Sequence, residues 1–145
     1  MDKELKREII LDNYQNPVNH GLIDDPSYIK VNTSSESCID NLDVMMKIDN
    51  NKIIDIRFDG EACAISTSAT SIMINMLIGK TINEALEIVN NYNKMINEEE
   101  YDEDLLGELI VYDEVCKQPN RKNCALIPVR AVRSIMEVLN AKAGK

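Results

Sequence analysis

The sequence contains no tryptophan, one phenylalanine and a single histidine, His20. Its core must therefore be aliphatic, with seven methionines as adaptable filler. No apolar run approaches the about 18 residues that a membrane span needs. The best stretch, Ile72 to Ile78, is short and broken by Asn75. Met1 to Glu8 lacks the apolar core of a signal peptide. A cytoplasmic, reducing environment is expected, and the four cysteines read as thiols rather than disulfides. Bases are scarce, 16 against 25 acids, for a net charge of −9. That balance argues against nucleic-acid binding, which needs clustered Lys and Arg. There is no glycine-rich phosphate loop, no Gly-x-Ser-x-Gly elbow and no telling Cys–His pair, since His20 lies in a turn far from every cysteine in sequence.

A chain of 145 residues fits one domain, 1–145. With 44% hydrophobic and 28% charged residues it can bury a core without disulfide staples. Charge is unevenly spread. Residues 98–114 hold nine acids and no base, whereas 115–145 hold seven bases and one acid. The acidic stretch reads as a solvated face or a docking surface. The basic segment is suited to an acidic protein partner.

Leu5, Ile9 and Ile10 recur at helical spacing, so a helix is expected over 3–14, stopped by Asn16-Pro17. Three strands follow: Tyr28 to Thr33, Leu42 to Ile48 with period-two alternation, and Ile54 to Phe58, with Gly60 ending the sheet. Asn50-Asn51 supplies a two-residue hairpin turn. Helices are expected from Ala64 to Ile78 with Gly79 as the stop, from the Thr81-to-Glu84 capping box onward, and from about Ala125 to Ala141 with Pro128 in the first turn. Short helical pieces are expected around Asp104–Glu108. Strands first and helices second imply an α+β fold, a small antiparallel three-stranded sheet with helices packed on one face.

The cysteines are Cys38, Cys63, Cys116 and Cys124, with no pair at zinc-finger or thioredoxin spacing. Their positions say more. Cys38 falls in a polar loop, Cys63 between a strand and a helix, and Cys124 just ahead of the last helix. Loops and helix N-termini favour the thiolate, the form that binds metal and attacks sulfur. Asp40, two residues after Cys38, offers an oxygen. Three sulfurs and one carboxylate complete a tetrahedral zinc site, and the same set suits iron or part of an iron–sulfur cluster. Taken singly, each cysteine also fits a small buried hydrophobe, Asp40 a turn residue, and Arg121-Lys122 a surface pair. Cys116 reads as structural.

Several segments in order resemble the U-type iron–sulfur cluster assembly family (IscU, SufU and the N-terminal domain of NifU). Ile9 to Gly21 matches the opening helix and its Asn-Pro-x-Asn-x-Gly turn. Cys38-Ile39-Asp40 stands where the family has Cys-Gly-Asp, Phe58 to Ser66 matches the segment of the second cysteine, and Arg121 to Ala125 that of the third. The similarity runs from about Leu5 to Leu139. Lys117 to Arg121 replaces the Leu-Pro-Pro-Val-Lys motif of the IscU branch, and Asn123 stands where that branch has His. An acidic insertion at about 98–116 and Arg121 three residues before Cys124 are similar to the SufU branch.

The resemblance implies a SufE/NifU-like fold, one zinc per chain on Cys38, Asp40, Cys63 and Cys124, and docking onto a SufS-like cysteine desulfurase. Cys38 is then the persulfide acceptor, with Arg121 supporting charge near Cys124. Downstream partners are iron–sulfur apo-proteins or a further scaffold, with neither nucleic acid nor membrane involved. Two departures stand out. Ile39 replaces the family glycine and restricts a loop that glycine would leave mobile, and Ala62 replaces a glycine before Cys63. Three readings follow: a zinc-dependent sulfur acceptor, a scaffold that builds and transfers an iron–sulfur cluster, and a metal-stabilised interaction module without sulfur chemistry. Ile39 is the best argument for the third.

Overall fold

A computed structural model describes residues 1–34 and 40–143, apart from the side chains of Ser34, Cys116 and Ala143. The readings made for Cys38, Ile39 and the Cys116 thiol therefore lie outside the described residues. Three antiparallel strands, β1 (Ile29–Ser34), β2 (Asn41–Asp49) and β3 (Lys52–Glu61), form one sheet in the order β1-β2-β3. Asn50 and Asn51 take φ of 50° and 64°, the left-handed pair that a two-residue hairpin needs to match strand twist. The period-two pattern holds only in part: Met45 is buried as well as its neighbours, and a register shift between Lys47 and Ile48 makes Ile54 the extra residue, 48% exposed, with Ile53 buried instead. Leu42, Val44 and Met46 of β2 and Ile56 and Phe58 of β3 are buried. Gly60 does not end the sheet. It pairs with Leu42 at φ 137°, so close to the Asn41 carbonyl that a Cβ would collide with it. The glycine is required by that close approach, and β3 runs on to Glu61.

Five α-helices are described: α1 (Lys3–Gln15), α2 (Ala64–Leu77), α3 (Ile82–Ile96), α4 (Pro119–Ala125) and α5 (Ile127–Ala143). α2 is the central one. Ala69, Ile72, Met73 and Leu77 are buried, and so are Ser66, Ser68, Thr70 and Ser71. Its apolar residues run all round, as a helix enclosed by protein requires. α3 carries the expected reciprocal capping box of Thr81 and Glu84. α1 has no fully buried residue; Ile9 and Ile10 pack partly against the core, but Leu5 stays 45% exposed.

Between α3 and α4 the chain makes short 3₁₀ turns at Glu103–Leu105, Gly107–Tyr112 and Val115–Lys117. Leu106, Leu109, Val111 and Tyr112 enter the core, while the acids from Glu98 to Glu108 stay exposed. The C-terminal helix differs from its expected form. Leu126, at φ −85° and ψ −5°, separates α4 from α5, so the helical run begins at Pro119. Proline has no N–H to lose at a helix start, which makes Pro119 as good an opener as Pro128.

Candidate metal centre

Three ligand-bearing segments meet at one end of α2. Asp40 leads into β2, Cys63 caps α2, and Cys124 lies in the last turn of α4. One ligand atom from each lies within 4.8 Å of the other two. Asp40 and Cys124 are 2% and 3% exposed, and Cys63 is half-buried. A tetrahedral zinc site with bonds near 2.3 Å sets its ligand atoms about 3.7 Å apart. The observed cluster needs only a small contraction to reach that spacing, and two sulfurs with one carboxylate oxygen are donors that zinc accepts. The residues fit the ion.

Local bonding explains how the chain assembles this corner. Cys63 is the N-cap of α2, and its Sγ accepts from the Ser66 N–H at 3.4 Å. The open end of a 14-residue helix favours negative charge on that sulfur. Asp40 accepts the Cys63 N–H on Oδ1 at 2.9 Å and the Ser66 hydroxyl on Oδ2 at 2.5 Å. A carboxylate has about four lone-pair directions, so capacity for a metal remains. The Cys124 thiol donates to the Asn120 carbonyl at 3.5 Å, within its own helix. Two buried tyrosines brace the corner. Tyr92 donates to the carbonyl of Ala125, next to Cys124, at 2.8 Å, and Tyr112 donates to Ser68 Oγ at 2.5 Å. Burial pushes both phenols up, and charge on Cys63 adds to the effect at Tyr112.

Asp40, Cys63 and Cys124 are thus brought together, from positions up to 84 residues apart in sequence. Cys63 stands at a helix N-terminus as expected. Cys124 lies just ahead of the last helix as expected, three residues before α5 begins at Ile127, but it also sits in the last turn of the short helix α4. Arg121 is exposed one turn before Cys124, with no side-chain partner among the described residues. His20 stays away from the cluster, its ring edge-on to Phe58 and its Nε2 3.1 Å from Asp59. Ser66 is the residue that spacing did not reveal. Its one signal was its place three positions after an N-capping cysteine.

A family model for the NifU-like N terminal domain matches residues 5–125. The zinc-dependent sulfurtransferase SufU of Bacillus subtilis is 34% identical over 129 residues, covering 88% of this chain and 86% of that protein. The iron-sulfur cluster assembly scaffold protein IscU of Streptococcus pyogenes is 30% identical over 130 residues, covering 89% and 80%. A crystal structure of a putative SUF-system scaffold, SufU from Fervidobacterium islandicum, superposes with a TM-score of 0.78 at 34% identity, over 87% of this chain and 92% of that one. With the family model matching most of the chain, and with SufU relatives alike in sequence and in fold, the chain belongs to the NifU-like N-terminal domain family.

Proposed function

We propose that this protein is a zinc-holding sulfur acceptor in iron–sulfur cluster assembly, working with a cysteine desulfurase. The observation that carries the reading is the buried corner in which Asp40, Cys63 and Cys124 present ligand atoms within 4.8 Å. Cys38 supplies the fourth ligand. It stands two positions before Asp40 in the chain, a reach of at most about 7 Å. Zinc, when bound, stabilises thiolates at neutral pH without redox chemistry.

The sulfur step belongs to Cys38. Its thiolate attacks the outer sulfur of a cysteine persulfide on the desulfurase. A new S–S bond forms on Cys38, the old one breaks, and its electron pair leaves on the desulfurase thiolate. Asp40, Cys63 and Cys124 keep the corner closed meanwhile. Arg121, one turn from Cys124 on α4, offers a cation to the transferred sulfur. A desulfurase of the SufS type and a cytoplasmic setting complete the reading. Among the described residues no helix is long and apolar enough to cross a membrane.

Metal analysis of anaerobically purified protein tests this. Close to one zinc per chain is expected, lost in Cys63→Ser and Asp40→Ala. Stimulation of desulfurase turnover is expected to fail in Cys38→Ser. Full stimulation by that variant refutes the acceptor role. Iron with labile sulfide in place of zinc selects the scaffold reading, which the similarity to IscU also supports.

A further inference from the structure

Ser66 is fully buried, and its contacts are not those of an ordinary helical serine. Ser68 and Thr70 on the same helix bond back to carbonyls of their own helix, Ile65 at 3.2 Å and Ser66 at 2.8 Å. That is the usual way for a hydroxyl inside a helix to satisfy itself. Ser66 instead turns outward to two other segments. Its hydroxyl lies 2.5 Å from Asp40 Oδ2 and 3.1 Å from the carbonyl of Cys124, and 3.5 Å from Cys63 Sγ. One proton serves these acceptors, and the short bond to the carboxylate takes it. Helix capping does not require this hydroxyl, because Cys63 Sγ is already served by the Ser66 backbone N–H.

We propose that Ser66 is a positioning residue of the metal centre. It fixes the Asp40 rotamer and ties the Asp40 and Cys124 segments to the N-terminus of α2, so that the ligand atoms stand together before a metal arrives. This rests on the zinc reading above. A metal ligand that loses such a partner typically weakens binding by about 10- to 100-fold. The same range is expected here, because without the hydroxyl the buried Oδ2 has no other donor among the described residues.

The test uses the full chain, purified anaerobically, with zinc affinity read by competition against a chromophoric chelator. Cobalt(II) absorption supplies a signature of ligand geometry. Ser66→Ala should bind zinc 10- to 100-fold more weakly and shift the cobalt bands, and Ser66→Thr should restore both. Ser66→Val, which has the shape of threonine without its hydroxyl, should behave as Ser66→Ala. The Thr–Val comparison also decides the matter if Ser66→Ala does not fold. Wild type and Ser66→Ala binding zinc equally, or Ser66→Thr and Ser66→Val binding it equally, overturns the inference alone. So does a lowered melting temperature without metal alongside unchanged affinity. Wild type that takes no zinc removes the zinc reading and the inference with it.

Discussion

Gly60 links the stability of the sheet to the geometry of the metal centre, and Gly60→Ala measures the link. Gly60 sits at φ 137° and faces Leu42, two residues after Asp40; Cys63 follows three residues after Gly60, just past the end of β3. A Cβ there meets the backbone of Asn41 and Leu42, not a side chain that can swing aside. Gly79 is the control. It also has a positive φ, 88°, but nothing lies within 4 Å of a Cβ built on it. Left-handed strain alone costs about 1–2 kcal/mol at either site. At Gly60 the strands must also separate, and loss of about two ladder bonds adds roughly 2 kcal/mol. For a chain of this length one kcal/mol moves the midpoint by about 3–4 °C. Thermal unfolding followed by circular dichroism should therefore show a drop of about 3–8 °C for Gly79→Ala and about 9–16 °C for Gly60→Ala. Only Gly60→Ala should also lose zinc affinity, because the shifted strand ends carry Asp40 and lead to Cys63. Equal melting shifts for the two variants would refute the clash argument. A large shift with normal zinc affinity would refute the link to the site.

Tyr92→Phe removes the donor to the Ala125 carbonyl in a fully buried position and should cost about 1–3 kcal/mol, seen as a lower urea midpoint with an unchanged slope. In an alkaline titration followed at 295 nm, Tyr28, Tyr92 and Tyr112 should ionise later than an ordinary phenol. Tyr28 is pushed up to about 12, chiefly by its 2.6 Å bond to Asp55. A phenol whose pKa is raised by folding stabilises the fold fully below its unfolded value near 10. That contribution fades as pH rises towards 12, so Tyr28→Phe should flatten the loss of stability in this window.

Much of the fold is legible because its signals are local. The Asn50-Asn51 turn, the Thr81 capping box and the Gly79 stop each depend on a few adjacent residues, and each is found where expected. The misreadings come from contacts that only the folded chain makes. Gly60 reads as a terminator until the Asn41 carbonyl is seen against it. The last helix is expected from about Ala125, whereas the helical run starts at Pro119 and breaks at Leu126. The ligand corner was legible as residue types and through the family resemblance. Ser66 was not, since a serine near a helix start is ordinary and its partners lie 26 and 58 residues away.

The acidic segment shows how one stretch carries two messages. Its charge, read along the chain, points to solvent or to a partner. Folded, the charged and apolar residues separate: Glu98 to Glu108 leave their acids exposed, while Leu106, Leu109 and Tyr112 are fully buried. The segment therefore adds core as well as charge. Tyr112 packs edge-on against Tyr92 and donates to Ser68, while Tyr92 holds the carbonyl beside Cys124. Asp113 pairs with Lys6 at 2.9 Å and ties the segment's far end to α1. Removing the segment to test its charge would strip these aromatic braces from the corner of Asp40, Cys63 and Cys124. Its two roles separate only by exchanging exposed acids for their amides with Tyr112 kept. Neutralising Glu99, Glu100, Glu103 and Asp104 in this way should leave zinc affinity unchanged, whereas Tyr112→Ala should lower it.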